Sequence, residues 1–296
     1  MKNLKFKYNL EELFANNFMK VNLPRGTFEL ITRVFHLQQH FWENTSTEQR
    51  KKWSTDLISA KRSGEDPDEN WVERFDEQHD AKTLFQYRKT SLKKLTSIPM
   101  SHMEQEWMYL MDHLHGIGEE VTKSIFADVV KKFPELELYK FQTRAHENQN
   151  HVLRTLLYQP EKERYAKEHI DMSFGTLAYP DLGDCDMTYP ALHIEGENKL
   201  IEHNKDEAIF FFGLKGMILS DISLRTAENN FISALTDESW IGKFSKFQAP
   251  VHWADNPGEG VIRKVPIHFM HTMPTWELSE LSKVQKRITR SRGFNV

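Results

Sequence analysis

The most informative stretch of this sequence is His169-Ile170-Asp171-Met172-Ser173-Phe174-Gly175-Thr176. Side chains alternate between the two faces of an extended strand, so residues i and i+2 point the same way. His169 and Asp171 can therefore bind one ion together, while Ile170 points into the packing behind them. The spacing predicts a metal site on an extended segment of the chain.

A complete site needs a third ligand, and an acidic cosubstrate would need a nearby cation. His252 is the candidate for the third ligand, and Arg263, eleven residues later, is the candidate cation. Two histidines and one carboxylate on one face of an ion form the ligand set of non-haem Fe(II) centres that keep open coordination positions. His169, Asp171 and His252 are therefore the candidate metal ligands.

The order of these motifs resembles the isopenicillin N synthase-like branch of the Fe(II)/2-oxoglutarate-dependent oxygenases. Residues 153–160, Leu-Arg-Thr-Leu-Leu-Tyr-Gln-Pro, are similar to the L-R-x-x-x-Y-P strand of that branch. Residues 169–176 are similar to its H-x-D-x-S-x-x-T motif, and His252 and Arg263 to its distal histidine and R-x-S motif. Fainter likeness extends to residues 17–22 and 41–53.

The resemblance implies an α+β fold with a double-stranded β-helix core, a jelly-roll of the cupin kind. It implies Fe(II) as the metal, 2-oxoglutarate as cosubstrate, O2 as oxidant, and no catalytic side chain beyond the metal ligands. Arg263 would hold the distal carboxylate of the cosubstrate through its planar fork. Tyr158 stands where the family has a tyrosine that helps to bind this carboxylate.

Two positions depart from the family pattern. The serine of R-x-S is Val265 here, and an asparagine common two residues before the tyrosine is Leu156. Both changes remove a side chain that forms hydrogen bonds. An Fe(II) oxidase of the isopenicillin N synthase type, which uses no 2-oxoglutarate, is therefore an alternative.

Three hypotheses about function follow from this pattern. The first is an Fe(II)/2-oxoglutarate-dependent dioxygenase that hydroxylates, desaturates or cyclises a small molecule such as an amino acid or a peptide-like metabolite. The second is the oxidase, and the third is a non-catalytic cupin-like binding protein, because a fold alone does not establish turnover. Halogenation is excluded, since Asp171 occupies the position that a halide would need.

The secondary-structure pattern changes near residue 150. Helical periodicity is present at residues 25–44. A capping box at Ser101 and Glu104 predicts a long helix that ends before Pro134. An apolar strand pattern follows at residues 208–214. Helices followed by strands indicate an α+β protein. We divide the chain into a mainly helical region (1–147), a double-stranded β-helix catalytic core (148–274) and a C-terminal helix and tail (275–296).

The amino-acid composition limits which classes of partner we expect for this protein. The 296 residues carry a net charge of −4, which gives no electrostatic argument for nucleic acid. The single cysteine, Cys185, permits no intramolecular disulfide and is typical of a reducing compartment. No apolar run is long enough to span a membrane, and the first residues lack the apolar run of a signal peptide. We expect a cytoplasmic protein with a small-molecule substrate.

Three further interpretations concern segments around the site. The 83 positions between His169 and His252 exceed the usual family spacing. The surplus is placed at residues 223–240, as either a lid or a surface loop. His268 and His271 are interpreted as structural histidines. Asp181, with Asp184 and Asp186, resembles a loose Ca²⁺ loop that lacks the remaining ligands.

Overall fold

The computed structural model describes residues 6–53, 71–74, 82–89, 98–139, 151–158, 164–183, 188, 192–197, 200–202, 204–220, 245–255, 262–270 and 278–295. The α-helices of this part are α1 (Leu10–Asn16), α2 (Thr27–Asn44), α3 (Thr47–Trp53), α4 (His102–Lys132), α5 (Leu214–Leu219) and α6 (Leu278–Ser291), and a 3-10 helix covers Pro134–Tyr139. The strands are β1 (Phe18–Asn22), β2 (Trp71–Arg74), β3 (Lys82–Tyr87), β4 (His151–Tyr158), β5 (Arg164–His169), β6 (Gly175–Ala178), β7 (Leu192–Ile194), β8 (Glu207–Phe212), β9 (His252–Asp255) and β10 (Arg263–Met270).

The strands form two antiparallel sheets. The larger has seven strands in the order β1-β8-β6-β10-β4-β3-β2, and the smaller has three in the order β5-β9-β7. The sheets pack against each other through apolar side chains that include Ile209 and Phe211 of β8 and Leu192 and Ile194 of β7. The predicted α+β class and jelly-roll core are confirmed, although the described sheets are not closed into a barrel.

Helices cover the outer face of the larger sheet. The predicted capping box begins α4: the Ser101 hydroxyl accepts the Glu104 N–H at 3.3 Å, and the Glu104 carboxylate accepts the Ser101 N–H at 2.7 Å. Trp107 of α4 is fully buried and lies 4.6 Å from the ring of Phe85 on β3. This aromatic packing anchors α4 against the sheet, since burying such a ring stabilises by about 2 kcal/mol or more.

The N-terminal region also supplies strands. β1 pairs with β8, β2 pairs with β3, and β3 pairs with β4, so all three extend the larger sheet. The division of the chain at residue 148 therefore stays a prediction about sequence organisation and does not mark an edge of this sheet.

A buried histidine cluster lies between α4 and the sheet. The Nδ1 of His151 and the Nε2 of His268 are 3.0 Å apart, and the Nε2 of His115 donates to the His151 carbonyl at 3.1 Å. A Cβ at Gly118 would lie 2.5 Å from the His268 ring, so glycine is what lets α4 approach this closely. His268 thus has a structural setting away from His169, while His271 lies outside the described residues.

Acid is expected to unfold the protein partly through His115. Burial, opposed by the hydrogen bond to the His151 carbonyl and by Glu119, lowers the pKa of His115 from 6.5 to about 4. The unfolded chain binds this proton at a higher pH than the folded chain does, so stability falls as pH decreases from about 6.5 to about 4, by on the order of 3 kcal/mol.

The measurement is urea unfolding of wild type and His115→Gln across this pH range. Glutamine can still donate to the His151 carbonyl but does not titrate, so its stability should fall less steeply towards acid pH. Parallel curves for the two proteins would show that His115 does not contribute to the pH dependence.

The predicted 223–240 insertion and Cys185 also lie outside the described residues. In the part of the chain that the structure does describe, none of the helices combines the length and apolar character needed to cross a bilayer. The predicted last helix is present as α6. The predicted apolar strand at 208–214 is present as β8, but the strand ends at Phe212 and Leu214 begins α5.

Candidate metal centre

His169, Asp171 and His252 lie together where the two sheets meet. One ligand atom from each residue lies within 4.8 Å of the other two, and the three are the only such group of metal-ligating side chains among the described residues. The Nε2 of His169 is 3.5 Å from Asp171 Oδ1, and the Nε2 of His252 is 3.5 Å from Asp171 Oδ2. This arrangement directs two ring nitrogens and a carboxylate towards one point.

Strand pairing places the two histidines side by side. His169 ends β5 and His252 begins β9, and the two are register partners whose ring centroids are 4.3 Å apart. Each Nδ1 faces a carbonyl oxygen of its own segment, Lys167 at 2.6 Å and Pro250 at 3.3 Å. A carbonyl only accepts, so Nδ1 carries the proton and Nε2 carries the lone pair that a metal would need.

Hydrogen bonds hold the carboxylate of Asp171. The Thr176 hydroxyl donates to Asp171 Oδ2 at 2.7 Å, and the Ser173 hydroxyl is 2.9 Å from that of Thr176. Both hydroxyls belong to the H-x-D-x-S-x-x-T motif, and this hydrogen-bonded chain holds the carboxylate in one orientation. Such contacts orient a ligand before a metal arrives.

The protonation states also suit a metal. Burial and the neighbouring His169 lower the pKa of His252 to about 4, which keeps its ring neutral at neutral pH. Burial opposes ionisation of Asp171, but the two histidines and the Thr176 hydroxyl outweigh it and hold the pKa of this carboxyl well below its usual range. Neutral imidazoles with an ionised carboxylate are the forms that bind a divalent cation.

The turn after Asp171 rests on the start of α5. The Leu214 N–H donates to the Asp171 carbonyl at 2.6 Å, and the Gly213 N–H donates to the Phe174 carbonyl at 2.9 Å. A Cβ at Gly213 would lie 2.3 Å from the Ser173 carbonyl oxygen and 2.9 Å from that of Asp171. Only glycine permits this approach, so Gly213 sets the path of the chain at Asp171.

The C-terminal helix supports the other side of this turn. The Gln285 amide of α6 donates to the carbonyl of Ile170, the residue between His169 and Asp171. Ile170 is fully buried and packs in one cluster with Val284 and Ile288 of the same helix. This confirms that Ile170 points into the packing behind the two ligands.

Arg263 and Tyr158 lie together, as the resemblance implies. They are register partners on β10 and β4, and the Arg263 guanidinium is 5.3 Å from the centre of the Tyr158 ring. Side chains alternate along β10, so Arg263 leaves the sheet on the same face as Phe269, the register partner of Thr176. Arg263 therefore points to the face from which Thr176 reaches Asp171.

Arg263 has a buried carboxylate partner. Its Nε and Nη2 donate to Asp181 Oδ2 at 2.8 and 2.5 Å, and the side chains of Arg263 and Asp181 are 5% and 4% exposed. The sequence analysis considered Asp181 only as part of a loose Ca²⁺ loop with Asp184 and Asp186, which lie outside the described residues. Asp181 instead forms an ion pair with the arginine predicted to bind the cosubstrate.

A β-bulge brings Asp181 to this position. Ala178 pairs with Ile267 and Leu182 with Lys264, so four steps on one segment match three on β10. The extra residue shifts the alternation, and Leu182 packs in the helix-side core. Its neighbour Asp181 therefore reaches the opposite face, where Arg263 lies.

The two family departures form one apolar patch. Val265 and Leu156 are register partners, and both are buried in a cluster with Leu84 and Tyr158. Hydrocarbon thus fills the space where the family has a serine and an asparagine. Arg263, which is paired with Asp181, contributes hydrogen-bonding groups next to Tyr158.

No protein-family model matches this sequence, and no curated protein does. Solved structures do match in fold. One is a full-length Neurospora crassa protein in complex with alpha-KG and 5-formyluracil, with 13% identity, 95% of this chain and 87% of that chain covered, and a TM-score of 0.55. Another is DAO1 from Arabidopsis thaliana, a dioxygenase for auxin oxidation with 2-oxoglutarate bound, with 12% identity, coverage of 84% and 79%, and a TM-score of 0.55.

A third match is a putative 2OG-Fe(II) oxygenase family protein from Caulobacter crescentus, with 16% identity, coverage of 92% and 85%, and a TM-score of 0.53. None of these matches singles out the isopenicillin N synthase-like branch. The agreement extends over most of each chain. This protein therefore has the fold of the 2-oxoglutarate–Fe(II) oxygenases.

Proposed function

We propose that the protein is an Fe(II)/2-oxoglutarate-dependent oxygenase that acts on a small molecule. The observation that carries the proposal is the convergence of His169, Asp171 and His252, with both Nε2 atoms directed at one carboxylate, in this fold. Two histidines and a carboxylate suit ferrous iron and leave coordination positions open for other ligands.

The three side chains would hold Fe²⁺, and two of them, Asp171 and His252, are already in the protonation states that bind it. When bound, the ion supplies the redox chemistry by which O2 oxidises a substrate while 2-oxoglutarate is converted to succinate and CO2. The role of the protein is to bind, to orient and to exclude water. Thr176 and the carbonyls beside each histidine perform the orienting step.

Arg263 and Tyr158 would bind the distal carboxylate of 2-oxoglutarate. The guanidinium offers a planar set of donors that matches a carboxylate. Val265 and Leu156 surround this position with hydrocarbon, which excludes water and strengthens a charged hydrogen bond there. The proposed cosubstrate site therefore combines one cation that is already paired with Asp181, one phenol and an apolar wall.

The substrate is proposed to be a small organic molecule that is hydroxylated, desaturated or cyclised. Support comes from two solved structures of the same fold, whose bound molecules are 5-formyluracil in one and JA in JOX2 in the other. The JOX2 structure shares 14% identity with this chain and has a TM-score of 0.51, with 92% of this chain and 74% of that chain covered.

The test is 2-oxoglutarate-dependent formation of succinate by the Fe²⁺-loaded protein. We expect the rate of succinate formation to fall more than about a hundredfold in His252→Ala. Removing a residue that only hydrogen-bonds to a metal ligand already costs up to about a hundredfold, and removing a ligand itself should cost more. His193→Ala is the matched control: this histidine stacks on Trp253 of the same sheet, 4.9 Å from ring to ring, and is not one of the three. Equal succinate formation by wild type and His252→Ala would contradict the proposal.

A second candidate is the Fe(II) oxidase that uses no 2-oxoglutarate. The apolar patch at Val265 and Leu156 favours it, because two groups that could bind the cosubstrate are absent. O2 consumption that proceeds with a substrate and without 2-oxoglutarate would identify this activity. The third hypothesis, a non-catalytic binding protein, predicts that metal binds and that neither assay shows turnover.

A further inference from the structure

We propose that Asp181 sets the anion selectivity of the Arg263 position. By neutralising Arg263, it weakens the preference of the protein for a 2-oxo diacid over a 2-oxo monoacid of equal length. This inference rests on the proposed function and deepens it, since it concerns which 2-oxo acids the cosubstrate site accepts.

The contact geometry shows how the guanidinium is used. Nε and Nη2 both donate to the same oxygen of Asp181, so the ion pair occupies one edge of the fork. Nη1 makes no hydrogen bond to any residue that the structure describes. The end of the fork thus keeps donors for a second carboxylate, but the charge that would attract it is shared with Asp181.

Burial strengthens the effect of Asp181 on the charge of Arg263. Both side chains are about 95% buried, so water screens the charges far less than it does at a surface. An incoming carboxylate meets a pair of zero net charge and is repelled by Asp181 as well as attracted by Arg263. Without Asp181 the same carboxylate would meet a full positive charge.

The side chains that the structure describes around Arg263 supply little to offset the charge of Asp181. Tyr158 can donate one hydrogen bond, and Val265 and Leu156 contribute only hydrocarbon. An apolar ligand tail would therefore lose less binding free energy here than in a site whose arginine is unpaired. The wild-type site should therefore bind 2-oxoglutarate and 2-oxopentanoate, which has a methyl group in place of the distal carboxylate, with similar affinity.

The experiment is calorimetric titration of the Mn²⁺-loaded protein with these two acids. In Asp181→Asn the amide oxygen can still accept from Arg263, so orientation is kept while the negative charge is removed. We expect the Kd of 2-oxoglutarate to fall at least about tenfold and the Kd of 2-oxopentanoate to stay within about twofold of wild type. An unchanged or weaker affinity for 2-oxoglutarate would overturn the proposal.

A second variant keeps the proposal testable if Asp181→Asn does not fold. Replacing both partners, Arg263→Met with Asp181→Leu, removes the pair without leaving a buried charge, which proteins often tolerate. This variant loses the donors of Arg263 together with the charge of Asp181, so relative to 2-oxopentanoate we expect it to bind 2-oxoglutarate no more than about tenfold less tightly than wild type does. A much larger relative loss would show that Arg263 acts with its full charge and would overturn the proposal.

The failure of this inference can be distinguished from the failure of the proposed function. If Mn²⁺ binds and both acids bind, but Asp181→Asn leaves their ratio unchanged, only the role of Asp181 is wrong. If Mn²⁺ does not bind, or binds while neither acid does, the cosubstrate site itself is absent and both proposals fall.

Discussion

Replacing Asp171 with alanine is expected to lower the affinity of the protein for Fe²⁺ or Mn²⁺ by more than about a hundredfold. Asp171 is the carboxylate that both histidine Nε2 atoms face, each at 3.5 Å. Its loss removes the one negative charge of the proposed ligand set, and two neutral rings attract a divalent ion far less than a carboxylate does. The measurement is anaerobic calorimetry with either metal.

Thermal unfolding gives a second measure of the same change. A metal that binds only the folded protein stabilises it by about 2.7 kcal/mol when present at about 100 times its Kd. Wild type should therefore melt at a higher temperature with metal, and Asp171→Ala should not. His193→Ala should keep the full metal-induced shift. An equal shift in wild type and Asp171→Ala would mean that the metal binds somewhere else.

Replacing Gly213 with alanine should impair metal binding without touching a ligand. The added Cβ would lie 2.3 Å from the Ser173 carbonyl oxygen, and this neighbour is backbone that cannot rotate away. The turn that carries Asp171 must shift, which moves the carboxylate away from the two histidines. We expect at least about a tenfold loss of metal affinity and a loss of stability of on the order of 2 kcal/mol.

Gly26→Ala is the matched control for this prediction. Gly26 has a φ of 86°, so alanine is strained there, but an added Cβ would meet no described atom within 4 Å apart from its own chain neighbours. It should reduce stability by about 1 kcal/mol and leave metal affinity unchanged. If Gly213→Ala also binds metal normally, the turn does not depend on the close contact with α5.

The candidate ligands could be predicted because strand geometry is regular. The alternation of side chains places His169 and Asp171 on one face without any knowledge of the rest of the fold, and Ile170 on the other. The structure places Ile170 against α6, and His169 and Asp171 beside His252. His252 itself followed from the resemblance, since nothing in its local sequence indicates that β9 pairs with β5.

The contact between Asp181 and Arg263 could not be predicted from the sequence. A regular strand from Ala178 would place residue 181 on the helix side of the sheet, and the bulge reverses this. A single extra residue in one strand leaves no clear mark in hydrophobic periodicity, so the partner of Arg263 could not be found. Gly213 was included in the apolar strand pattern at 208–214, and nothing in that pattern indicated its close approach to the turn that carries Asp171.

The departures at Val265 and Leu156 have a similar explanation. Each is an isolated apolar substitution in the sequence, and only the register of β10 with β4 shows that they face each other. Together with Leu84 they form a continuous apolar surface, so the two changes complement each other. Val265 and Leu156 therefore belong to one apolar surface, and only the pairing of their strands, which the local sequence does not show, reveals it.

The decisive measurement is an anaerobic titration of the Fe²⁺-loaded protein with 2-oxoglutarate, followed by visible absorption. Chelation of Fe²⁺ by the 2-oxo acid should produce a charge-transfer band that saturates with the cosubstrate and is absent in Asp171→Ala. Bound Fe²⁺ with no band at saturating 2-oxoglutarate would contradict the proposed use of this cosubstrate and favour the oxidase or the binding protein.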